Sequence, residues 1–160
     1  MSDKIFTEMS QTPYVLKRIV DKNIEMEEVV NFIINNKNKK IIFIGCGSSY
    51  FASMTATYTC YNLLKKMSIP MSSLDFLHYR FSDVNENTII FAFSQSGETN
   101  ETVKAARSAK NMGAKVIAIT NNSNSQLGLL SDRIISLYAG AEEGPGTKTV
   151  VAETLAIYIL

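Results

Sequence analysis

The sequence predicts an α/β fold built on a five-stranded parallel sheet. Three continuous apolar runs, rich in β-branched residues, have the length and composition of strands buried on both faces; they are residues 40–44, 88–93 and 115–120. Segments with helical spacing of apolar residues alternate with these runs, which is typical of crossover units in a parallel sheet. We therefore expect a doubly wound, flavodoxin-like three-layer sandwich with extra N-terminal helices.

The N-terminal region predicts two helices before the first strand. Thr12 is a suitable N-cap, and Pro13 stands where proline is tolerated, at the first helical position. A second helix is expected over residues 25–34, where apolar side chains recur at helical spacing. The later elements are predicted as strands over residues 40–44, 69–74, 88–93, 115–120 and 133–137, and helices over residues 48–66, 101–112, 125–130 and from 147 onward, still continuing at 160.

The chain has 160 residues, of which 46% are hydrophobic, so it can bury the core of one ordinary domain. We divide it into an N-terminal helical segment, residues 1–36, and one α/β domain, residues 37–160. Residues 150–160 are mostly apolar and carry no glycine or polar tail. We expect this helix to meet another domain or another copy, and the chain to be part of a longer protein.

Composition argues against several classes of protein. A net charge of +1 provides no basic surface for nucleic acid, and the apolar runs are too short to span a bilayer. Met1–Lys4 lacks the apolar core of a signal peptide, so we expect a cytoplasmic protein. Cys46 and Cys60 do not have metal-ligand spacing, and we expect both to be reduced, with no metal and no cofactor bound.

The loop after the predicted strand over residues 88–93 has the composition of a phosphate site. Ligands of open parallel sheets bind beyond the carboxyl ends of the strands, where this loop is expected. Gly97 allows a close backbone approach, and the next helix presents unpaired N–H groups at the positive end of its dipole. The predicted ligand groups are the hydroxyls and the amide of Ser94, Gln95, Ser96 and Thr99.

The loop after the first strand offers a second set of ligand groups. Gly47, Ser48 and Ser49 open the long helix, and we expect them to bind the same small ligand. A dinucleotide-binding reading is the alternative, with Asp75 as the acid that binds ribose. The residues Gly45-x-Gly47 resemble the start of the Gly-x-Gly-x-x-Gly motif of dinucleotide-binding proteins. Tyr50 stands where that motif needs a third glycine or an alanine, which favours the small-ligand interpretation.

Four further residues could contribute to such a site. His78, the one histidine, could be a general base but is expected on the surface or at a partner contact. Glu98 lies beside the phosphate loop and should point away from a phosphate. Glu142 is a weak candidate for a catalytic carboxylate, and Thr147 is expected either to cap the last helix or to contact the ligand.

These residues together resemble the SIS (sugar isomerase) family over nearly the whole chain. The loop Ser94-Gln95-Ser96-Gly97-Glu98-Thr99 reads as that family's phosphate loop. Gly45-Cys46-Gly47-Ser48-Ser49 is similar to its first ligand loop. Glu8-x-x-Gln11-x-Pro13 and Ala139-Gly140-x-Glu142-x-Gly144 resemble segments of the isomerase half of glucosamine-6-phosphate synthase. In that subgroup two SIS domains run in tandem, and this chain resembles the first, so the second is expected outside this sequence.

The resemblance implies a hexose 6-phosphate ligand and aldose–ketose isomerisation of a hexose or amino-hexose 6-phosphate. The apolar residues 150–160 predict that the 160-residue chain is a homodimer. The resemblance also implies a proton-shuttling glutamate in the second SIS domain and a histidine from a partner subunit, so the 160-residue chain alone should be inactive. The sequence has no cysteine at position 1 or 2, so glutamine-driven amination is not expected of it. Isomerase, deaminase and deglycase activities all stay open, and a non-catalytic sugar-phosphate-sensing regulatory domain is the alternative.

Overall fold

The computed structural model of the protein describes residues 2–22, 24–79, 84–143 and 145–160. Its centre is a five-stranded sheet in the order β2-β1-β3-β4-β5, and every pair of neighbouring strands is parallel. The strands are β1 (Lys40–Gly45), β2 (Ser68–Ser72), β3 (Thr88–Phe93), β4 (Lys115–Thr120) and β5 (Arg133–Ser136). This is the predicted flavodoxin-like order, so the predicted fold class is confirmed.

Eight helices occur in the described ranges. They are α1 (Ser2–Ser10), α2 (Thr12–Asp21), α3 (Ile24–Asn35), α4 (Ser48–Leu64), α5 (Ser73–Tyr79), α6 (Asn100–Asn111), α7 (Gln126–Leu130) and α8 (Lys148–Tyr158). Helices α1 and α5 were not predicted from the sequence. Several predicted boundaries differ by one or two residues. At the two ends of the chain, Gln11 rather than Thr12 is the N-cap of α2, and α8 ends at Tyr158 instead of continuing to residue 160.

The two faces of the sheet bury two separate apolar clusters, because successive side chains of a strand point to opposite faces. On β1, Ile41 and Phe43 join one cluster, whereas Ile42 and Ile44 join the other. Helices α2, α3, α4 and α8 cover the first face, and α5, α6 and α7 cover the second. The fold is therefore a three-layer sandwich with the sheet in the middle.

The N-terminal helices belong to the same core as the sheet. Val15 and Ile19 of α2 are buried in the cluster that includes β1 and β3. Polar contacts add to this docking, since Glu8 accepts a hydrogen bond from the backbone N–H of Glu143 at 2.8 Å. Lys148 is 2% exposed and donates to the side-chain oxygen of Gln11 at 2.6 Å. Helices α1 and α2 are thus packed directly against the rest of the protein.

The register of the sheet brings the predicted ligand loops to one edge. Gly45, the last residue of β1, pairs with Phe93, and Phe93 pairs with Ile119 near the end of β4. The loops that follow β1, β3 and β4 therefore leave the sheet side by side. As for the helices, none in the described ranges is both long and apolar enough to cross a membrane.

Candidate functional site

The loop after β3 turns tightly and is held by its own hydroxyls. The Ser94 hydroxyl donates to the Thr99 hydroxyl oxygen at 3.0 Å and accepts from the Gly97 N–H at 3.1 Å. Ser96 accepts from the N–H of Glu98 at 3.1 Å. Thr99 is the N-cap of α6, and its hydroxyl proton is not used in the bond from Ser94. The loop therefore leads directly into a helix N-terminus, where N–H groups lack helical partners.

The loop after β4 clamps this turn from the side. Gln95 and Gly97 accept backbone hydrogen bonds from Asn121 at 2.9 Å and from Leu127 at 3.0 Å. The Glu98 carboxylate turns to the start of α7, where it accepts from the Gln126 N–H at 3.0 Å and from the Gln126 side-chain amide at 2.7 Å. Glu98 therefore points away from the turn, as the sequence analysis expected.

Gly97 is required at this turn for two reasons. Its φ is +69°, a conformation that other residues adopt only with strain. A Cβ at this position would lie 1.9 Å from the Ser125 hydroxyl oxygen. The close approach that the sequence suggested is therefore an approach to the neighbouring loop.

The loop after β1 brings the second set of hydroxyls to the same edge. Gly47 has a φ of +55° and precedes α4, whose first two residues are Ser48 and Ser49. Ser48 is exposed, whereas Ser49 is 8% exposed and donates to a carboxylate oxygen of Glu153 at 2.8 Å. Both serines thus lie beyond the carboxyl end of β1. Ser48 is open to solvent, and Ser49 is hydrogen-bonded to α8.

These loops surround one polar cavity of about 330 Å³. Its wall carries five hydroxyls, one amide, one thiol and one carboxylate; the lining residues are Cys46, Gly47, Ser48, Ser49, Gln95, Ser96, Thr99, Glu142, Gly146 and Thr149. Six of the eight predicted ligand residues lie on this wall. Hydroxyls beside a helix N-terminus suit a phosphate, and the remaining polar groups suit the hydroxyls of a sugar.

Two predicted ligand residues do not line the cavity. Ser94 is 1% exposed, and its hydroxyl is used inside the turn. Thr147 is the residue before α8, and its hydroxyl donates to Glu142 at 2.7 Å. Both side chains support the residues that form the wall, because tertiary packing turns their hydroxyls away from the cavity.

Glu142 lies on the cavity wall and also caps α8. One of its oxygens accepts from the N–H of Thr147 at 3.0 Å and from the Thr147 hydroxyl, and the other accepts from the Thr149 hydroxyl. Burial raises the pKa of Glu142, but the hydrogen bonds from Thr149 and Thr147 outweigh this and hold the pKa below its ordinary value. Glu142 is therefore ionised at neutral pH. Gly144, quoted in the same motif, lies outside the described residues.

Glu153 is the polar residue of this region that the sequence analysis missed. It lies in α8, is 1% exposed and holds the Ser49 hydroxyl. Burial raises the pKa of Glu153 to about 7; the Ser49 hydrogen bond opposes this shift, and the charge of Glu142 adds to it. A signal was available in the sequence, because a glutamate four residues after Thr149 interrupts an otherwise apolar helix and shares its face.

Of the three remaining candidates, His78 and Cys60 lie away from the cavity, and Cys46 lies on its wall. His78 is on the exposed side of α5. Cys46 and Cys60 are unpaired; Cys46 borders the cavity, and burial raises the pKa of Cys60 in α4. The described part of the chain contains no group of three or more His, Cys, Asp or Glu side chains placed to hold a metal ion.

Residues 33–160 match the family model of the SIS domain. The chain is a member of this family. This SIS domain is 32% identical over 160 residues to a glutamine–fructose-6-phosphate aminotransferase (isomerizing) of Thermococcus kodakarensis, covering 96% of the chain and 25% of that enzyme. The homologous enzyme of Clostridium tetani is 30% identical over 161 residues, with 96% and 26% covered.

A solved structure agrees with these relatives. The C-terminal domain of glucosamine-fructose-6-phosphate aminotransferase from Francisella tularensis superposes with a TM-score of 0.88 at 25% identity. That match covers 98% of this chain and 45% of the other. The SIS domain described here therefore spans about a quarter of the length of the curated relatives and less than half of the solved chain.

Proposed function

We propose that this SIS domain binds a hexose 6-phosphate or an amino-hexose 6-phosphate in the cavity between the loops after β1 and β3. The observation that carries the proposal is the hydroxyl-rich turn at the N-terminus of α6, which faces a second hydroxyl-bearing helix start across one cavity. A phosphate fits this edge because N–H and O–H donors converge there without a competing carboxylate from Glu98.

We propose distinct roles for the predicted ligand residues. Ser96, Thr99 and Gln95 would bind the phosphate, while Ser48, Ser49 and the backbone of Gly47 would contact the rest of the ligand; all six line the cavity. Ser94 and Thr147 would act by holding these residues in place, since both hydroxyls are used within the protein.

In the whole protein we propose aldose–ketose isomerisation of the bound sugar phosphate, by an isomerase, deaminase or deglycase. Moving a proton between C1 and C2 needs a carboxylate base close to both carbons. Both oxygens of Glu142 already accept hydrogen bonds from the start of α8, so we propose that the base comes from a second SIS domain. In this arrangement residues 1–36 form the helical segment and residues 37–160 the first SIS domain.

We also propose that the chain forms a homodimer through an apolar face of α3, α4 and α8. Ile34, Leu63 and Leu64 are 57%, 62% and 54% exposed. They border a groove of about 190 Å³ whose lining is almost entirely apolar and includes Ile157 and Leu160. Exposed apolar side chains that are contiguous favour contact with another protein surface.

Calorimetric titration of the chain with glucose 6-phosphate and with glucose tests the ligand proposal. Charge-assisted hydrogen bonds contribute about 1.5–3 kcal/mol each, so the loss of the phosphate should weaken binding at least about tenfold. Equal affinities for the two sugars would contradict a phosphate site.

Ser96→Ala tests the assignment of the loop. We expect binding of glucose 6-phosphate to weaken about ten- to a hundredfold with little change in melting temperature, because the hydroxyl of Ser96 is exposed and contributes little to the core. The matched control is Ser131→Ala at the end of α7, outside the cavity, where Ser131 donates to the carbonyl of Leu127. Early melting of Ser96→Ala with normal affinity would make Ser96 a structural residue only.

Turnover of fructose 6-phosphate and glucosamine 6-phosphate tests the enzyme proposal. We expect no turnover by the 160-residue chain and turnover by a protein that includes a second SIS domain. Turnover by the short chain that Glu142→Gln abolishes would place the catalytic carboxylate in this half instead.

A further inference from the structure

Glu153 is a buried carboxyl group with an incomplete set of partners. Its Oε1 accepts from the Ser49 hydroxyl at 2.8 Å, and the side chain is 1% exposed. Its Oε2 is buried without a hydrogen-bond partner among the described residues. The ionised form of this carboxyl group is unfavourable, because a hydrogen bond replaces the lost water at only one of its two oxygens.

Ser49 connects Glu153 to the ligand cavity. It stands in the first turn of α4 and lines the cavity together with Ser48 and Ser96. A serine hydroxyl has one proton to donate. While that proton is given to Glu153, the oxygen of Ser49 faces the cavity only as an acceptor, and it cannot donate to an acceptor-only group of the ligand such as a carbonyl oxygen of the sugar.

The surroundings of Glu153 provide no compensating cation. From the loop before α8, the carboxylate of Glu142 acts on it with like charge. Helix α4 contributes Ser49 and buried small residues, and α2 presents the apolar Val15 and Ile19 while its charged side chains are exposed. Lys148, on α8 itself, donates to Gln11 and to the carbonyl of Ala141. No ion pair to Glu153 forms within the described ranges.

Near neutral pH, Glu153 is present in both its protonated and its ionised form. Burial raises its pKa to about 7, the Ser49 hydrogen bond lowers the pKa, and the charge of Glu142 raises it. Above pH 7 the carboxylate form prevails, and it holds the proton of Ser49. A sugar phosphate brings a charge of about −1.5 to −2 into the neighbouring cavity. Like charges disfavour the carboxylate form, so the bound phosphate shifts Glu153 toward the protonated form.

We infer that binding of a sugar phosphate is coupled to uptake of a proton by Glu153, with the Ser49 hydroxyl reversing its hydrogen bond. This inference rests on the proposed function of the cavity. The proton comes from solvent and bonds to Glu153, whose new O–H donates to the Ser49 oxygen. The Ser49 hydroxyl then donates to the ligand, and no other covalent bond changes. Glu153 is thus a positioning residue that acts on the ligand through Ser49.

Calorimetric titration with glucose 6-phosphate at pH 8, in two buffers of different ionisation enthalpy, measures the protons taken up. At this pH the phosphate is already a dianion, so its own titration contributes little. We expect uptake of more than about 0.5 proton per ligand by the wild type, because Glu153 is about nine-tenths ionised one unit above its pKa. The affinity should fall about three- to tenfold per pH unit between pH 7 and pH 9.

Glu153→Gln is the matched variant, because it keeps the shape of the side chain and cannot ionise. We expect it to bind without proton uptake and with an affinity that is independent of pH over this range. Ser49→Ala removes the connecting hydroxyl and the bond that lowers the pKa of Glu153, so proton uptake at pH 8 should fall by at least about half.

Wild-type binding without proton uptake at pH 8 would overturn the inference and leave the proposed function standing, whatever the stability of the variants. Equal uptake by the wild type and Glu153→Gln would also overturn it. Absence of binding at every pH would overturn the proposed function together with the inference.

Discussion

Gly97 shows how a single residue can fix the shape of a ligand loop. The carbonyl of Gly97 accepts from the N–H of Leu127, its φ is +69°, and the Ser125 hydroxyl occupies the space that a side chain would need. Gly47 has a similar φ of +55°, but no atom lies within 4 Å of the position where its Cβ would be. A side chain at position 97 would therefore meet both backbone strain and steric crowding, whereas one at position 47 would meet backbone strain alone.

We predict that Gly97→Ala lowers the free energy of unfolding by about 2–4 kcal/mol, because strain and crowding both apply. The control Gly47→Ala, at φ +55° and ψ −129°, should lower it by less than Gly97→Ala, by about 1–3 kcal/mol, because strain acts alone. Urea denaturation followed by circular dichroism measures both values. Equal losses would mean that the loop after β4 moves aside at little cost.

Glu153 predicts a stability that depends on pH. Its folded pKa of about 7 lies above the ordinary value of 4.5, so its contribution is fully present below pH 4.5 and is lost as pH rises through 7. Relative to the wild type, Glu153→Gln should therefore gain up to about 3 kcal/mol of unfolding free energy between pH 4.5 and pH 8. Urea denaturation at several pH values measures this difference. A constant difference would show that Glu153 titrates normally.

At the scale of elements, the start of α8 depends on a carboxylate from outside the helix. Thr147 precedes the helix without a side-chain cap of its own, and Glu142 accepts its N–H instead. The sequence suggested Glu142 as a weak catalytic candidate and Thr147 as a possible cap. The structure joins the two residues in one capping arrangement on the cavity wall.

We predict that Glu142→Gln lowers the free energy of unfolding at pH 7 by about 1 kcal/mol, the usual loss for a helix cap. Because the folded pKa of Glu142 lies below its ordinary value, the wild-type advantage is present above pH 4.5 and is lost as pH falls through the folded pKa. Thermal melts at pH 7 and pH 3.5 measure the effect. Glu143→Gln removes an exposed ion pair with Lys4, so it should change either melt much less than Glu142→Gln does. Equal shifts in the two variants would argue against the cap.

The strands could be predicted far better than the short helices. Strands β3 and β4 have the predicted bounds, because strands buried on both faces give continuous apolar runs. The predicted strand over residues 69–74 is wrong at its end, since β2 ends at Ser72 and α5 begins at Ser73. Leu74 continues the apolar pattern of the strand, which led to the longer prediction. The cap that starts α5 is the Ser72 hydroxyl, which accepts from the Asp75 N–H at 3.0 Å, and this signal was not recognised.

Within the site, loop position could be predicted and hydroxyl direction could not. The parallel sheet by itself requires the loops after β1 and β3 to share an edge, which places Ser48 and Ser96 on one cavity. Ser94 has the same side chain as Ser96, but only packing decides that its hydroxyl turns inward. The contact between Ser49 and Glu153 joins residues 104 positions apart, so local sequence patterns contain no sign of it.

At the scale of the whole molecule, the two faces of the sandwich present different surfaces. The face of α3 and α4 has several large apolar side chains in the open, among them Leu63 and Leu64, and a groove runs between these helices and α8. On α7, on the opposite face, Leu129 is 76% exposed. Leu63 and Leu129 are therefore a matched pair of exposed leucines, of which Leu63 borders the groove and Leu129 does not.

We predict that the 160-residue chain is a dimer by light scattering and that Leu63→Lys shifts it to a monomer, because a charge in an apolar interface loses its hydration. Leu129→Lys, an equally polar change on the opposite face, should leave the dimer intact. A wild-type monomer, or dissociation by Leu129→Lys alone, would contradict the proposed interface.

The packing of Gly97 against Ser125 also has an evolutionary consequence. A side chain at position 97 fits only if residue 125 becomes smaller, and a longer connection after β4 would displace the backbone bonds from Asn121 and Leu127. Mutations in the two loops are therefore not independent. Homologues that alter one loop should carry a compensating change in the other, so the segment after β4, although it does not line the cavity, should vary together with the loop after β3.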